Sequence, residues 1–418
     1  MKKLTAQILL VCIFALSAVG LVSCNDAPSV PAATTPVVIT PDNGTPNTSE
    51  NSETPENPET PAAPNEIKNV ILIIGDGMGL DHIAAGQALY KKQYSFTNWQ
   101  FTNSNTDSVN SSGIISGTTD SAAGGTALAT GKLTQNYYVG KDHTGADVPT
   151  ILDLAKSLNK STGVLTTDTL YGATPAAFSA HNVNRNNTSE IVASQILSGV
   201  DLLCGHKDSA CTSQKRAIEA KGYAYCDDFA NVDTTMTASM AYWQFDLATS
   251  SAKVALKDAT VKALNFLDRD EDGFALMIEQ AHIDKYSHNK DIVGTSWAVN
   301  SLNDTVEAIL TWLGDRTDTA IVITSDHETG GLSVSTKSIY SASARSRVAN
   351  ADGSRDLLYY KYSSSDHTNA KVGVFVYGVT VDFSKLSDYK ADRTIKNRNV
   401  YDLLADVLRH PVEYGKAA

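Results

Sequence analysis

The chain has no excess of positive charge. It carries 34 lysine and arginine residues against 46 aspartate and glutamate residues, which gives a formal net charge of −12. Because nucleic-acid backbones select basic surfaces, this balance argues against nucleic acid as the main partner. The acidic balance also provides no general attraction for an anionic substrate. An anion would need bound cations to attract it locally.

Cysteine is scarce, and the five cysteines do not form the paired Cys-x-x-Cys motif that is typical of a zinc knuckle. Cys12 lies inside an N-terminal apolar run and Cys24 follows that run. The other three, Cys204, Cys211 and Cys226, allow one disulfide and one free thiol if the chain is exported. The sequence does not decide which pair would form that disulfide.

The N-terminal apolar run, residues 8–22, is too short for a comfortable membrane span. It follows Lys2 and Lys3, an arrangement that indicates a secretory signal. Its Leu-Val-Ser-Cys ending resembles a bacterial lipobox, which implies that Cys24 becomes the lipidated first residue of the mature protein. A plain signal peptide with an incidental Cys24 is the alternative. We therefore expect residues 1–24 to be a lipoprotein signal peptide and the exported chain to be anchored to the cell envelope, on its periplasmic or surface face.

Residues 25–66 contain almost no large apolar side chain and are rich in proline, threonine, asparagine, serine and glutamate. Such a composition cannot offset the entropy cost of ordering the chain, so we expect a disordered tether that holds the folded body away from a membrane. The remaining residues, 67–418, are long enough for one large α/β domain or two medium ones.

Apolar runs of strand length alternate with helical patterns along residues 67–418. The strand patterns cover residues 70–74, 163–167, 198–204, 274–278, 320–324 and 372–377, and the helical patterns cover residues 253–267, 297–313 and 399–408. This alternation predicts an α/β three-layer sandwich with a large, mostly parallel central sheet flanked by helices. The polar, Ser-rich segment 329–366 is expected to form a long excursion or a small flap near the site.

Several predicted strands end in ionisable side chains. Asp76 follows the first strand, Glu279 follows a middle strand, and Asp326 and His327 follow a late one. Carboxylates at the carboxyl ends of buried strands are typical of α/β active sites. Mixed aspartate and histidine ligands suit zinc, whereas aspartate, glutamate and threonine oxygens suit magnesium.

Two further segments carry the same kinds of side chain. Asp284 and His288 are four residues apart, so on a helix they share one face and can bind one cation. His367 comes shortly before a predicted strand. An isolated Asp–His pair is more often solvated than metal-bound. Only the combination of these segments with the strand-end residues predicts a metal centre.

A small, polar and then Ala-rich segment surrounds Ser121. Thr118, Thr119 and Asp120 can cap a helix, and the Ala-rich run after Ser121 favours one. Ser121 would then lie in the first turn, where free N–H groups and the helix dipole favour an anion. The alternative interpretation is an ordinary capped helix that packs tightly on a neighbour.

Taken together, these segments resemble a bacterial alkaline phosphatase. The matching motifs occupy, in order, residues 74–79, 119–123, 173–177 with His181 and Arg185, 279 with 283–285 and 288, 325–331, and 367–368. The resemblance implies an alkaline phosphatase catalytic domain over residues 67–418. It also implies hydrolysis of phosphate monoesters of broad specificity through a phosphoserine intermediate, and it allows a homodimer.

The same resemblance implies two zinc ions and one magnesium ion. The implied ligand sets are Asp284, His288 and His367 for the first zinc, Asp76, Asp326 and His327 for the second zinc, and Asp76, Thr174 and Glu279 for magnesium. Ser121 would be the attacking ligand of the second zinc. Zinc on a serine oxygen favours the alkoxide, and a second zinc stabilises the leaving oxygen.

The resemblance further assigns three residues to the phosphate group. Arg185 would hold two phosphate oxygens through its planar fork, Asp120 would orient Arg185, and Lys285 would reach phosphate through water. Family members with this lysine have an aspartate just before the Ala-Thr-Pro stretch, where this chain has Gly172. We therefore expect weaker magnesium retention than in such members.

Two other classes of protein are consistent with parts of the pattern. A sulfatase requires cysteine or serine followed by x-Pro-x-Arg, which residues 121–125 lack, and a diesterase commonly has a threonine nucleophile and no paired arginine. A tethered protein that captures phosphate or zinc without turnover is the second alternative. The presence of both Ser121 and Arg185 argues against it.

Overall fold

The computed structural model describes residues 66–335, 348–349, 355–356 and 358–410. These residues all lie within one compact unit, Pro61–Ala418. The predicted signal peptide with Cys24, and the predicted tether up to residue 65, lie outside the described residues. Within the described ranges, no helix has the length and apolar character needed to cross a bilayer.

Sixteen strands are described, ten of which form one sheet. They are β1 (Asn69–Gly75), β2 (Gln100–Asn105), β3 (Ser161–Thr166), β4 (Leu202–His206), β5 (Tyr223–Cys226), β6 (Met240–Phe245), β7 (Phe274–Gln280), β8 (Thr319–Thr324), β9 (Glu328–Thr329), β10 (Leu332–Ser335), β11 (Val348–Ala349), β12 (Arg355–Asp356), β13 (Tyr359–Tyr362), β14 (His367–Thr368), β15 (Val372–Tyr377) and β16 (Thr394–Lys396). The large sheet has the order β16-β2-β15-β8-β1-β7-β3-β4-β6-β5.

The large sheet is mostly parallel, as predicted. β15 runs antiparallel to both of its neighbours, β2 and β8, and the other pairings in the sheet are parallel. The central strands β8, β1 and β7 are fully buried along their length, which explains their continuous apolar sequences.

Eleven α-helices are described. They are α1 (Leu80–Tyr90), α2 (Ser121–Thr130), α3 (Ile151–Ser157), α4 (Ala173–Ser179), α5 (Thr188–Ser198), α6 (Ser209–Thr212), α7 (Lys215–Ala220), α8 (Leu256–Leu267), α9 (His282–His288), α10 (Ile292–Leu313) and α11 (Arg398–Arg409). The predicted helical patterns at 253–267, 297–313 and 399–408 correspond to α8, α10 and α11, so those three predictions are confirmed.

Successive residues of β1 face opposite sides of the sheet, and an apolar core lies on each side. Val70, Leu72 and Ile74 belong to the core that includes residues of α2 to α5 and α11. Ile71 and Ile73 belong to the core that includes residues of α1 and α8 to α10. The sheet is therefore covered on both faces, and the predicted three-layer α/β sandwich is confirmed.

Two predicted boundaries differ from the structure. The predicted strand 198–204 begins only at Leu202, because α5 continues to Ser198 and ends at Gly199, a residue in the left-handed conformation with φ +67°. The sequence after residues 173–177 also looks helical as far as Arg185, but α4 ends at Ser179, so Arg185 lies in the loop between α4 and α5.

The segment 329–366, predicted to be an excursion or a small flap, is partly described by the structure. The described part of that segment pairs β10 with β13, and His367 of β14 pairs with Thr329 of β9. The rest of the predicted excursion lies outside the described residues.

Cys204, Cys211 and Cys226 are buried free thiols, so the described part of the chain contains no disulfide.

Candidate active site

The carboxyl ends of three neighbouring strands bring acidic side chains to one edge of the sheet. Asp76 directly follows β1, and Asp326 comes two residues after β8. Glu279 lies within β7, in register with Ile74 of β1. Since β7 and β8 flank β1 on its two sides, the three carboxylates approach one another. The predicted strand-end cluster therefore forms.

A tight turn after β1 leads the chain past the other ligands. Gly77 has φ +73°, a conformation that strongly favours glycine. A Cβ atom at this position would lie 2.7 Å from Thr329 Oγ1 and 2.9 Å from Asp284 Cα. Only glycine allows this approach, and it brings the segments that carry Asp76, Asp284 and Thr329 into contact.

Ser121 is the first residue of α2, as predicted. Asp120 caps the helix by accepting a 2.9 Å hydrogen bond from the backbone N–H of Ala123. The helix is buried throughout, and Gly124 allows close packing, since a Cβ atom there would lie 2.6 Å from the carbonyl oxygen of Asp326. The start of α2 is therefore held against the end of β8.

The second predicted zinc set comes together around Ser121. The Ser121 hydroxyl lies 3.1 Å from Nε2 of His327. The same Nε2 lies 3.5 Å from Asp76 Oδ1 and 3.3 Å from Asp326 Oδ2. One nitrogen, two carboxylate oxygens and a hydroxyl thus surround one point, an arrangement that suits a tetrahedral cation.

The first predicted zinc set also comes together. Asp284 Oδ1 lies 3.3 Å from His288 Nε2 and 3.5 Å from His367 Nε2, and the two nitrogens are 3.2 Å apart. Asp284 and His288 lie one turn apart on α9, as their spacing predicts. The rings of His327 and His367 stack with their centroids 3.6 Å apart, so the two sets adjoin.

Each of the three histidines has its other ring nitrogen against an oxygen atom. His288 Nδ1 lies 2.7 Å from Ser365 O, and His367 Nδ1 lies 2.9 Å from Thr119 O. His327 Nδ1 lies 3.2 Å from Thr329 Oγ1. An Nδ1–H that donates to such an oxygen leaves Nε2 unprotonated and directed into the site. This is the arrangement found around histidines that bind metals.

Three buried oxygen atoms of the site accept no hydrogen bond from the described residues. They are Asp76 Oδ1, Thr174 Oγ1 and Asp326 Oδ2. Burying such atoms without a partner is costly, and native proteins rarely do so without a reason. All three belong to residues predicted as metal ligands, and Thr174 lies at the second position of α4. The residues present therefore fit divalent metal ions.

The electrostatics of the carboxylates lead to the same conclusion. Burial, together with the charges of Asp326, Asp284 and Glu279, raises the pKa of Asp76 well above its usual value. Burial and the charge of Asp168 raise the pKa of Glu279 to about 8. Several buried carboxyl groups repel one another in this way unless cations lie between them.

Two histidines of the site are affected in opposite directions. Burial and the charge of His367 lower the pKa of His327 to about 3, so His327 is neutral near pH 7 and able to bind a metal. A hydrogen bond to Asp284 raises the pKa of His288 to about 9. A cation at Asp284 would replace that proton.

The predicted phosphate-binding residues lie at the mouth of the site. Arg185 Nη1 lies 3.2 Å from Asp120 Oδ2, and the same oxygen accepts a 3.0 Å hydrogen bond from the N–H of Tyr137. The N–H of Arg185 in turn donates to the carbonyl of Tyr137 at 2.8 Å. These residues, with Asn136 and His367, border an open cavity of about 500 Å³.

A comparison of the sequence with known protein families shows which family has these residues. The family model described as alkaline phosphatase matches residues 67–204 and 240–397, which is most of the folded body. This chain belongs to the alkaline phosphatase family of enzymes.

Curated members of the alkaline phosphatase family resemble the chain over most of its folded body. It is 33% identical over 293 residues to Alkaline phosphatase 4 of Bacillus subtilis, a match that covers 64% of this chain and 63% of that protein. It is 28% identical over 362 residues to Alkaline phosphatase 3 of the same organism, covering 81% of this chain and 78% of that one. The match thus spans less than two thirds of the first relative's length.

A solved alkaline phosphatase has the same fold. The structure of the enzyme from the Antarctic bacterium TAB5 superposes with a TM-score of 0.69 at 25% identity, covering 82% of this chain and 99% of that one.

The alkaline phosphatase motifs did not predict every residue that contacts the site. Lys285, which was expected to reach phosphate, has its Nζ atom 2.6 Å from Asp168 Oδ1. Thr329 donates a hydrogen bond to Asp284, and the backbone of Tyr137 contacts both Asp120 and Arg185. For Asp168 a signal was present, because it comes two residues after β3, as Asp326 comes two residues after β8.

Proposed function

We propose that the chain hydrolyses phosphate monoesters through a phosphoserine intermediate, with two zinc ions and one magnesium ion as cofactors. The observation that carries this proposal is the Ser121 hydroxyl, which lies at the start of α2 and 3.1 Å from His327 Nε2. That nitrogen itself lies 3.5 Å from Asp76 Oδ1 and 3.3 Å from Asp326 Oδ2. A serine placed among metal-type ligands, with an arginine at the mouth of the site, suits phosphoryl transfer.

The ligand sets follow the family pattern residue by residue. We assign Asp284, His288 and His367 to the first zinc, Asp76, Asp326 and His327 to the second zinc, and Asp76, Thr174 and Glu279 to magnesium. The distances among Asp284, His288 and His367 support the first set, and the clustering of Asp76, Asp326 and His327 supports the second. When bound, these ions supply charge that favours the serine alkoxide and stabilises the departing oxygen.

The protein's own groups orient the reaction. Arg185, held by Asp120, binds two non-bridging oxygens of the phosphate, and the free N–H groups at the start of α2 stabilise negative charge there. The Oγ atom of Ser121 loses its proton and forms a bond to phosphorus while the ester P–O bond breaks, and the leaving group gains a proton and departs as an alcohol. Water then loses a proton and attacks phosphorus, the Oγ–P bond breaks, Ser121 Oγ regains a proton, and inorganic phosphate is released.

The test is the activity of the purified chain, supplied with zinc and magnesium, on para-nitrophenyl phosphate and on its bis-ester. We expect turnover of the monoester to exceed that of the diester, and to be abolished by Ser121→Ala. Preference for the diester would identify a diesterase instead. Tight phosphate binding without turnover of either compound would identify a capture protein, and metal analysis of the same samples reports the zinc and magnesium content.

We also propose that the exported chain is anchored to the cell envelope through lipid on Cys24. The support is the sequence alone, because the Leu-Val-Ser-Cys ending follows an apolar run after two lysines. Fractionation of cells that express the full chain tests it. We expect the chain in the membrane fraction and the Cys24→Ser variant outside that fraction. Equal membrane association of both chains would exclude the lipid anchor.

We further propose that the folded body forms a homodimer, as alkaline phosphatases often do. Light scattering on the purified chain tests this directly. A mass of one chain at all accessible concentrations would exclude it.

A further inference from the structure

The position that lacks the family's aspartate is filled by a different carboxylate. Gly172 is the N-cap residue of α4 and has no side chain to offer. A Cβ atom built there would lie 2.8 Å from Asp168 Oδ2 and 3.2 Å from Asp168 Cγ. The space that a side chain at residue 172 would enter therefore already contains the carboxylate of Asp168.

Asp168 is connected to the predicted magnesium ligand Glu279 through one hydroxyl group. The backbone N–H of Asp168 donates a 2.8 Å hydrogen bond to Thr166 Oγ1. That hydroxyl in turn donates to Glu279 Oε2. Thr166 also pairs with Glu279 in the register of β3 and β7, so the contact is fixed by the sheet. The charge of Asp168 is close enough to raise the pKa of Glu279.

The carboxylate of Asp168 also holds the one lysine predicted to act on phosphate. Lys285 Nζ lies 2.6 Å from Asp168 Oδ1, and the same oxygen accepts a 2.8 Å hydrogen bond from the N–H of Thr169. The other oxygen, Oδ2, is the atom that faces residue 172. The Asp168 carboxylate thus lies between Lys285 and Gly172, and the backbone N–H of the same residue contacts the Thr166–Glu279 pair.

We propose that Asp168 is a positioning residue that supplies the carboxylate missing at Gly172. Its Oδ1 holds Lys285 in place, and its Oδ2 accepts hydrogen bonds from the water shell of magnesium bound by Glu279 and Thr174. Magnesium retention then depends on Asp168, which revises the expectation of weak retention drawn from Gly172 alone. This inference rests on the magnesium site of the proposed function.

Direct measurement of magnesium binding tests this role without relying on activity. Zinc-loaded, magnesium-free protein is titrated with Mg²⁺ by calorimetry, and zinc content is measured in the same samples. We expect Asp168→Asn to weaken magnesium binding by about tenfold or more, the usual effect of removing a partner of a metal's ligand shell, with zinc content unchanged. Asp227→Asn is the matched control, because it removes a 2.8 Å aspartate–lysine ion pair that includes none of the predicted metal ligands and should leave binding unchanged.

Moving the carboxylate distinguishes this role from a general loss of structure. The double variant Asp168→Gly with Gly172→Asp has a carboxylate at residue 172 and lacks the Asp168 side chain that it would otherwise meet, so we expect it to recover most of the lost affinity. Magnesium binding by Asp168→Asn within about twofold of the wild type would overturn the inference and leave the proposed function intact. A wild type that binds no magnesium would remove the magnesium site from the proposed function, and this inference with it.

Discussion

The hydroxyl of Ser121 lies 3.1 Å from Nε2 of His327, although the two residues are 206 positions apart in the chain. Ser121 begins α2 and His327 follows β8, so this contact exists only because the start of the helix is packed onto the end of the strand. The contact therefore joins the helical layer that carries the predicted nucleophile to the sheet that carries the predicted metal ligands.

The packing of α2 on the end of β8 depends on Gly124. Because a Cβ atom at Gly124 would lie 2.6 Å from the carbonyl oxygen of Asp326, we expect Gly124→Ala to displace the helix. The free energy of unfolding should fall by about 1–3 kcal/mol. Monoester turnover should fall by more than the fraction of protein that this loss of stability would unfold. Chemical denaturation and steady-state kinetics measure the two effects.

Gly125→Ala is the matched control on the same helix. Its nearest contacts would be Ala177 Cβ at 3.3 Å and Thr174 Cα at 3.4 Å, which a shift of α4 by a few tenths of an ångström relieves. Alanine also favours a helix interior over glycine by about 1 kcal/mol, which offsets part of the cost. If Gly124→Ala and Gly125→Ala had the same effect on turnover, the contact with Asp326 would not be the cause.

Asp120 has two separable functions in the structure. Its Oδ1 caps α2 through the N–H of Ala123, and its Oδ2 binds Arg185 and the N–H of Tyr137. We expect Asp120→Ala to cost about 1 kcal/mol of unfolding free energy through the lost cap. Asp120→Asn keeps an oxygen for the cap and loses the charge beside Arg185. Both variants should lose about tenfold in kcat/KM, equivalent to about 1.4 kcal/mol. The free energy of unfolding should fall less in Asp120→Asn than in Asp120→Ala.

Arg185 is expected to bind phosphate through two parallel hydrogen bonds, which a lysine cannot form. Arg185→Lys should therefore behave more like Arg185→Ala than like the wild type, with kcat/KM reduced by about 10²-fold and weaker inhibition by inorganic phosphate. Kinetics with phosphate as a competitive inhibitor measure both quantities. Wild-type phosphate affinity in Arg185→Lys would show that a single positive charge is sufficient.

The metal-free protein should become less stable as pH rises from about 7 to about 9, above the range in which the lowered pKa of His327 acts in the opposite direction. The pKa of Glu279 is raised from 4.5 to about 8, and that of His288 from 6.5 to about 9. Both protonated forms are favoured in the folded state, so their stabilising effect is complete at low pH and is lost as each group releases its proton. Because metals bind the deprotonated ligands, stabilisation by zinc and magnesium should increase over the same range.

Thermal unfolding with and without a chelator measures this pH dependence. Glu279→Gln should reduce the pH dependence of the chelated protein, since it removes the group that titrates near pH 8. A chelated protein that is more stable at pH 9 than at pH 7 would contradict the proposed cause.

The central sheet could be predicted because strands buried on both faces have continuous apolar sequences. This is why 70–74 and 320–324 were located to within a residue of β1 and β8. The run 198–204 has the apolar pattern of one strand because the end of α5 and the start of β4 are both apolar. The left-handed Gly199, which ends α5, divides this run in the structure. The antiparallel direction of β15 depends on the path of distant connections, which no local pattern encodes.

The clustering of Asp76, Asp326 and His327 could be predicted because these residues follow buried parallel strands, whose carboxyl ends the fold brings to one edge of the sheet. The contact between Lys285 and Asp168 could not be predicted, because it depends on how the loop after β3 folds back beside Gly172. Tyr137 was also missed. Its positive φ of +74° is unusual for a residue other than glycine, and its backbone hydrogen-bonds with Asp120 and Arg185.

The central claim is that Ser121 receives the phosphoryl group, and mass spectrometry tests it most directly. Protein loaded with zinc and magnesium is mixed with a phosphate monoester, quenched in acid during turnover and digested. The account predicts one added phosphoryl group on the peptide that contains Ser121, and none in the Ser121→Ala variant, which should not turn over. Turnover by Ser121→Ala at the wild-type rate, or a phosphoryl group on a different residue, would contradict it.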